Sequence, residues 1–171
     1  MALAREVDRW VDTDGVRLHI KDTLFLRCLD RYAVRYGDKY DAALSCAASD
    51  PLAAVRAFFD VTLARIADPE LPDGCLIAQS AMAIPVLSSA VAAHARQALG
   101  FQRLRLRTAL KAARMTDQGA DAFALHTAAV NQSHAVMSRA GASPAELRAV
   151  ADVTVGALSQ ALRASNQALS P

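Results

Sequence analysis

Residues 118–166 constrain the fold more than any other stretch. They read as two long amphipathic helices joined by a tight turn at Ala140-Gly141-Ala142. Ser143-Pro144-Ala145-Glu146 carries three helix-start signals together: a hydroxyl to accept from an open backbone N–H, a proline where no donor is needed, and a glutamate to complete a capping box. Beyond it Leu147, Val150, Thr154, Ala157, Leu158 and Ala161 recur at helical spacing, while Ala151 and Gly156 keep the surface thin. The preceding helix carries Phe123, Leu125, Ala129, Val130, Val136 and Met137, which fall on more than one side. One dry face suffices for a helix at the end of a domain; a second requires further cover, and a second copy of the chain is the expected source. Phe123, Asn131, His134 and Met137 on the first helix are the expected dimer contacts. On the second they are Leu147, Val150, Thr154, Ala157, Leu158 and Ala161.

A chain of 171 residues with 53% hydrophobic and only 5% aromatic content, rich in Ala and Leu, favours packed helices over sheet. The expectation is one all-α bundle of about six helices over residues 22–171, preceded by a distinct segment, 1–21. A net charge of +2 gives no strong field for nucleic acid. Cys28, Cys46 and Cys75 form no CxxC pair and cannot all pair with one another, and no secretory signal precedes them, so a cytoplasmic location is expected. Residues 74–93 are uncharged, but Gln79, several serines and Pro85 interrupt them, which predicts a buried helix and a turn rather than a membrane span.

In chain order, residues 9–20 alternate apolar and polar around Asp14-Gly15, the pattern of a hairpin, with a disordered tail as the alternative. Helix A is expected over about 22–36, with Phe25, Cys28, Leu29, Tyr32 and Tyr36 in one stripe and Gly37 as its left-handed stop. Asp50-Pro51 opens helix B, which Asp68-Pro69 ends. Helix C, about 75–84, is apolar nearly all round and is expected to be the most enclosed element. Helix D spans about 88–116, with Gly100 as the place where it can bend. Arg103, Arg107, Lys111 and Arg114 on one edge of helix D fit either a nucleic-acid contact or a solvated face; no aromatic residue interleaves them.

No catalytic constellation emerges: there is no Gly-x-Ser-x-Gly elbow, phosphate loop or dinucleotide fingerprint. An enzyme is therefore not the expected reading, and no cofactor is implied. His126 and His134 stand about 12 Å apart along a helix axis, too far to share a metal whose ligands lie about 2 Å away. Cys75 fits either a redox sensor or a small buried hydrophobe. The polar residues set into otherwise apolar helices either satisfy the core or line a cavity for a mostly apolar guest. The candidate ligand-binding residues are Phe59, Cys75, Gln79, Met82, Phe101, Met115, His126 and Val130.

Several segments, in order, resemble the tetracycline-repressor-like (TetR) family of transcriptional regulators. Lys21-Asp22-Thr23-Leu24-Phe25-Leu26-Arg27-Cys28-Leu29-Asp30-Arg31-Tyr32 is similar to the passage from that family's DNA-reading helix into its effector domain. Asp50-Pro51-Leu52 with Phe58-Phe59, then Pro72-Asp73-Gly74-Cys75-Leu76-Ile77, resemble its next two helices. Ala140-Gly141-Ala142-Ser143-Pro144-Ala145-Glu146-Leu147 resembles its final dimerisation element. The resemblance spans residues 21–162. It implies a helical domain that binds a small hydrophobic effector among its middle helices and forms a homodimer through its last two. It also implies DNA as a partner, yet residues 1–21 fall short of the roughly 45 that a helix-turn-helix module needs. No DNA-binding residue is therefore assigned, nor any membrane partner. Residues 10–20 resemble instead the opening strands of α/β-hydrolases, without that fold's catalytic parts. The rival expectation is a helical protein-interaction module without ligand or DNA.

Overall fold

The computed structural model describes the backbone of residues 2–72 and 74–168, and side chains between residues 21 and 164 apart from 73. The described residues form helices and turns with no strand. α1 spans Ala2–Leu44, α2 Pro51–Ile66, α3 Leu76–Met82, α4 Ser89–Ala112, α5 Asp117–Arg139 and α6 Pro144–Ala168, with a 3₁₀ turn at Ile84–Val86 between α3 and α4. The all-α bundle expected from composition and periodicity is the fold observed.

Local chemistry fixes most helix starts. Asp50 accepts from the Ala53 amide at 2.9 Å with Pro51 at the first turn of α2. Ser88 accepts from Val91 N–H to open α4, and Thr116 from Gly119 N–H to open α5. The α5–α6 turn is a Schellman motif, with Gly141 N–H donating to Ser138 O and Ala142 N–H to Met137 O. Gly141 supplies the required left-handed backbone at φ 88°. Ser143 and Glu146 then close a reciprocal box, Glu146 N–H to Ser143 Oγ at 3.3 Å and Ser143 N–H to Glu146 Oε2 at 2.7 Å.

α2 is the hub of the bundle. It packs on α1, α5 and α6, while α4 packs on α1, α3 and α5. Phe58, Phe59, Val55, Leu106, Leu110 and Leu158 fill the core. Buried alanines, among them Ala54, Ala95, Ala120, Ala124 and Ala151, let the helices approach closely.

Three expectations need correction. The hairpin around Asp14-Gly15 is absent, because α1 runs unbroken through residues 2–44. A hairpin needs a surface to dock on, whereas a helix already nucleated by packing adds one hydrogen bond per residue fixed; Gly15 costs that extension only about 1 kcal/mol. Positions 3, 7, 10, 11 and 18 are apolar and fit the helical period equally well. Gly37 is likewise no stop, since α1 continues to Leu44. Its role is steric: a Cβ there would sit 2.7 Å from Arg105 Nη2, so glycine lets that guanidinium lie against α1 and reach Asp41 at 2.8 Å. Nor is helix C enclosed. α3 covers only Leu76–Met82, meets α1 and α4 on one side, and leaves Met82 73% exposed. α4 passes through Gly100 as one helix, and no described helix is long and apolar enough to cross a membrane.

The cap at Ser143 predicts a pH dependence. Bonds from the Ser143 hydroxyl, then from its backbone amide, hold the Glu146 carboxyl below its ordinary value. A carboxylate with a lowered folded value contributes stability above its unfolded value and loses it as pH falls through the folded one. The melting-temperature advantage of wild type over Glu146→Gln at pH 7 should therefore shrink as pH is lowered through about 4. Gly141→Ala should cost about 1 kcal/mol in denaturant titration, because alanine disfavours the left-handed backbone.

Candidate ligand cavity and exposed helix face

α1 presents Tyr32, Tyr36 and Tyr40 at successive spacings of four, so one face carries three hydroxyls into the bundle. Tyr40 OH meets Thr62 Oγ1 at 2.8 Å, and Thr62 in turn donates to Asn131 Oδ1 at 2.6 Å. Asn131 Nδ2 closes the ring by donating to Tyr40 OH at 3.5 Å. This triangle ties α1, α2 and α5 together in the interior. Burial pushes the Tyr40 hydroxyl above its ordinary value, against the opposing bonds from Thr62 and Asn131. Tyr32 is raised as well, by burial first and then by the Cys75 thiol, to which its hydroxyl donates at 3.5 Å. Both phenols are therefore neutral donors near pH 7.

The same tyrosines border a cavity of about 290 Å³ between α1, α3, α4 and α5. Ile77, Ala98, Leu99 and Phe101 supply apolar wall, and Cys75 sits beside Tyr32. Gln132 Nε2 donates to Gln102 Oε1 at 2.6 Å, while Gln132 Oε1 is buried without a hydrogen-bond partner. A buried acceptor left open costs about 1–3 kcal/mol. At the solvent side His94 Nε2 lies 3.0 Å from Asp30 Oδ1.

The expected ligand residues do not converge. Cys75 and Phe101 line this cavity, and Gln79 lines a different recess. Phe59 is fully buried core, stacked obliquely on His134 at 5.4 Å, and Met115 is also core. Val130 packs against that core, His126 is exposed on α5, and Met82 points to solvent. Gln132, Gln102 and His94 went unassigned in the sequence. The spacing of the three tyrosines was a readable signal for the cavity wall; nothing local marks Gln132, whose orphaned oxygen exists only through the arrangement of four helices.

The expected dimer residues divide in two. Asn131, His134, Leu147, Thr154 and Leu158 are buried within the chain itself. The His134 ring lies between two carbonyls, Nδ1 2.8 Å from Val130 O and Nε2 2.9 Å from Leu147 O, and the tautomer decides which of them receives its N–H. Thr154 Oγ1 meets His126 Nε2 at 3.3 Å. Phe123, Met137, Val150 and Ala161 are half-buried, and Ala157 is exposed. The uncovered apolar face is turned one notch from the expected one: Leu125, Ala129 and Val136 on α5, with Val153, Gly156 and Ala157 on α6. Val153 is 73% exposed and Leu125 54%. Helices apolar on several sides allow more than one assignment; only packing against α2 selects the inner stripe.

The basic edge expected along helix D is partly paired with carboxylates. Arg107 pairs with Asp121 at 2.5 Å and Lys111 with Asp117 at 2.8 Å, which neutralises half of it. The chain has no match among protein-family models, curated proteins or solved structures.

The polar triangle predicts non-additive mutants. Asn131→Leu takes the buried acceptor from Thr62 and leaves Tyr40 and Thr62 bonded only to each other, and should cost about 1–3 kcal/mol in urea unfolding. Thr62→Val removes the hydroxyl that both Tyr40 and Asn131 use, so the double variant should cost less than the sum of the two single ones; simple additivity would contradict the network.

Proposed function

We propose that this chain is the effector-binding and dimerising domain of a TetR-like transcriptional regulator. The observation that carries the reading is the uncovered apolar face shared by α5 and α6, the last two helices, where Val153, Gly156 and Ala157 lie in line with Leu125, Ala129 and Val136 on the other helix. Small residues at such a face let a partner's helices approach closely, and two copies related by a two-fold axis would form a four-helix bundle. The cavity supports the other half of the reading. It is mostly apolar with a few polar groups, as small-molecule sites are, and its open acceptor selects guests that can donate.

α1 supplies three tyrosines to that cavity and runs back to Ala2. A guest that binds one α1 position better than another shifts that helix, and coupling of this kind is differential affinity for two states. A helical protein-interaction module with a filled interior is the rival reading, and the orphaned Gln132 acceptor weighs against it.

Sedimentation of the purified chain should give twice the monomer mass, and Val153→Arg should halve it while leaving the far-UV circular dichroism intact. A wild-type monomer at micromolar concentration would remove the basis for the regulator reading. In a thermal-shift screen, neutral aromatic amides and phenols should raise the melting temperature, and Gln132→Leu should abolish that gain.

A further inference from the structure

Tyr32 and Tyr36 also border a second recess, of about 410 Å³, formed by α1, the end of α2, the following loop and α3. Its walls are apolar at Leu71, Pro72 and Leu76. Its charged lining residues are all of one sign: Arg31 and Arg35, one turn apart on α1, and Arg65 from the last turn of α2. No carboxylate appears among the described lining residues.

Arg65 is the unusual member. It is only 6% exposed, and one Nη1 hydrogen donates to Gly74 O. A guanidinium carries five N–H groups, and the Gly74 bond uses one of them. The cations Arg105, Arg107, Lys111 and Arg148 each have an aspartate within ion-pair distance; among the described residues Arg31, Arg35 and Arg65 have none. Asp68, three residues from Arg65, spends its Oδ1 on the Glu70 amide, and Asp73 lies outside the described residues. Burying a cation without a counter-charge costs several kcal/mol, and an anion in the recess offsets that cost.

We propose that this recess binds small amphipathic carboxylates. The carboxylate engages the planar Arg65 fork, Arg31 and Arg35 draw it in from solvent, and its apolar body lies along Tyr36, Leu71 and Leu76. The site is separate from the cavity that holds Gln132, and the proposal stands whether or not α5 and α6 dimerise.

Calorimetric titration of the full chain with 2-naphthoate tests this, with 2-naphthamide as the neutral isostere. Saturable binding of the acid, at least about tenfold tighter than the amide, is expected, since a charge-assisted pair is worth roughly 1.5–3 kcal/mol. Arg31→Gln with Arg35→Gln, both on exposed side chains, should weaken binding several-fold and flatten its salt dependence. Arg65→Met should weaken it about tenfold or more by the same reckoning. Gln132→Leu should leave it unchanged. No saturable binding at millimolar 2-naphthoate, equal affinity for the amide, or full competition by inorganic phosphate at equal concentration would overturn the proposal. So would an unchanged affinity in the Arg31/Arg35 double variant, which decides the matter even where Arg65→Met does not fold.

Discussion

Phe58 and Phe59, adjacent on α2 and both fully buried, hold the two halves of the bundle on one helix. Phe58 faces α1, its ring 4.6 Å from Tyr40, and Phe59 faces α5, 5.4 Å from the His134 ring. Successive residues on a helix diverge by about 100°, so two neighbouring aromatics serve two different interfaces. Each aromatic buries a large apolar area, and truncating one costs about 3–5 kcal/mol. Among alanines that contribute little area each, these rings dominate the interior, and the polar ring of Tyr40, Thr62 and Asn131 is assembled around them.

That distribution explains where the structure keeps space. Around α2 the core is filled by Val55, Phe58 and Phe59, and Thr62 is paired with Tyr40 and Asn131. On the far side of α1, against α3 and α4, the elements are shorter or thinner, with Ala98 where a large residue would fill the gap. α3 is two turns long and held on one side only. The Tyr32–Tyr36 pair, ring centroids 4.6 Å apart, therefore borders hollows with contrasting chemistry. One offers amides and a buried acceptor; the other offers arginines with no carboxylate among the described residues that line it.

His134 shows how a single polar residue carries opposite meanings in sequence and structure. On a helix that is apolar on several sides, a histidine reads as an interface group. In the fold it is wholly buried between two carbonyls, one of them across the α5–α6 turn. What it contributes is the geometry of the helix pair, and the exposed apolar residues lie one notch away, at Leu125 and Val153.

Sequence alone determined the all-helical class, the Asp50-Pro51 and Ser143-Glu146 starts and the turn at Gly141, because each depends on residues within one turn of each other. It also marked α5 and α6 as carrying more apolar surface than one domain face needs. Only the tertiary structure decided that residues 2–44 form one helix rather than a hairpin and that Gly37 makes room for Arg105. It alone also decided which stripe of α5 and α6 turns inward, that the Gln132 amide oxygen is buried without a partner, and that Arg65 is buried against Gly74 O. Those outcomes depend on groups far apart in the chain, whose energies exist only once α1, α2, α4 and α5 are packed together.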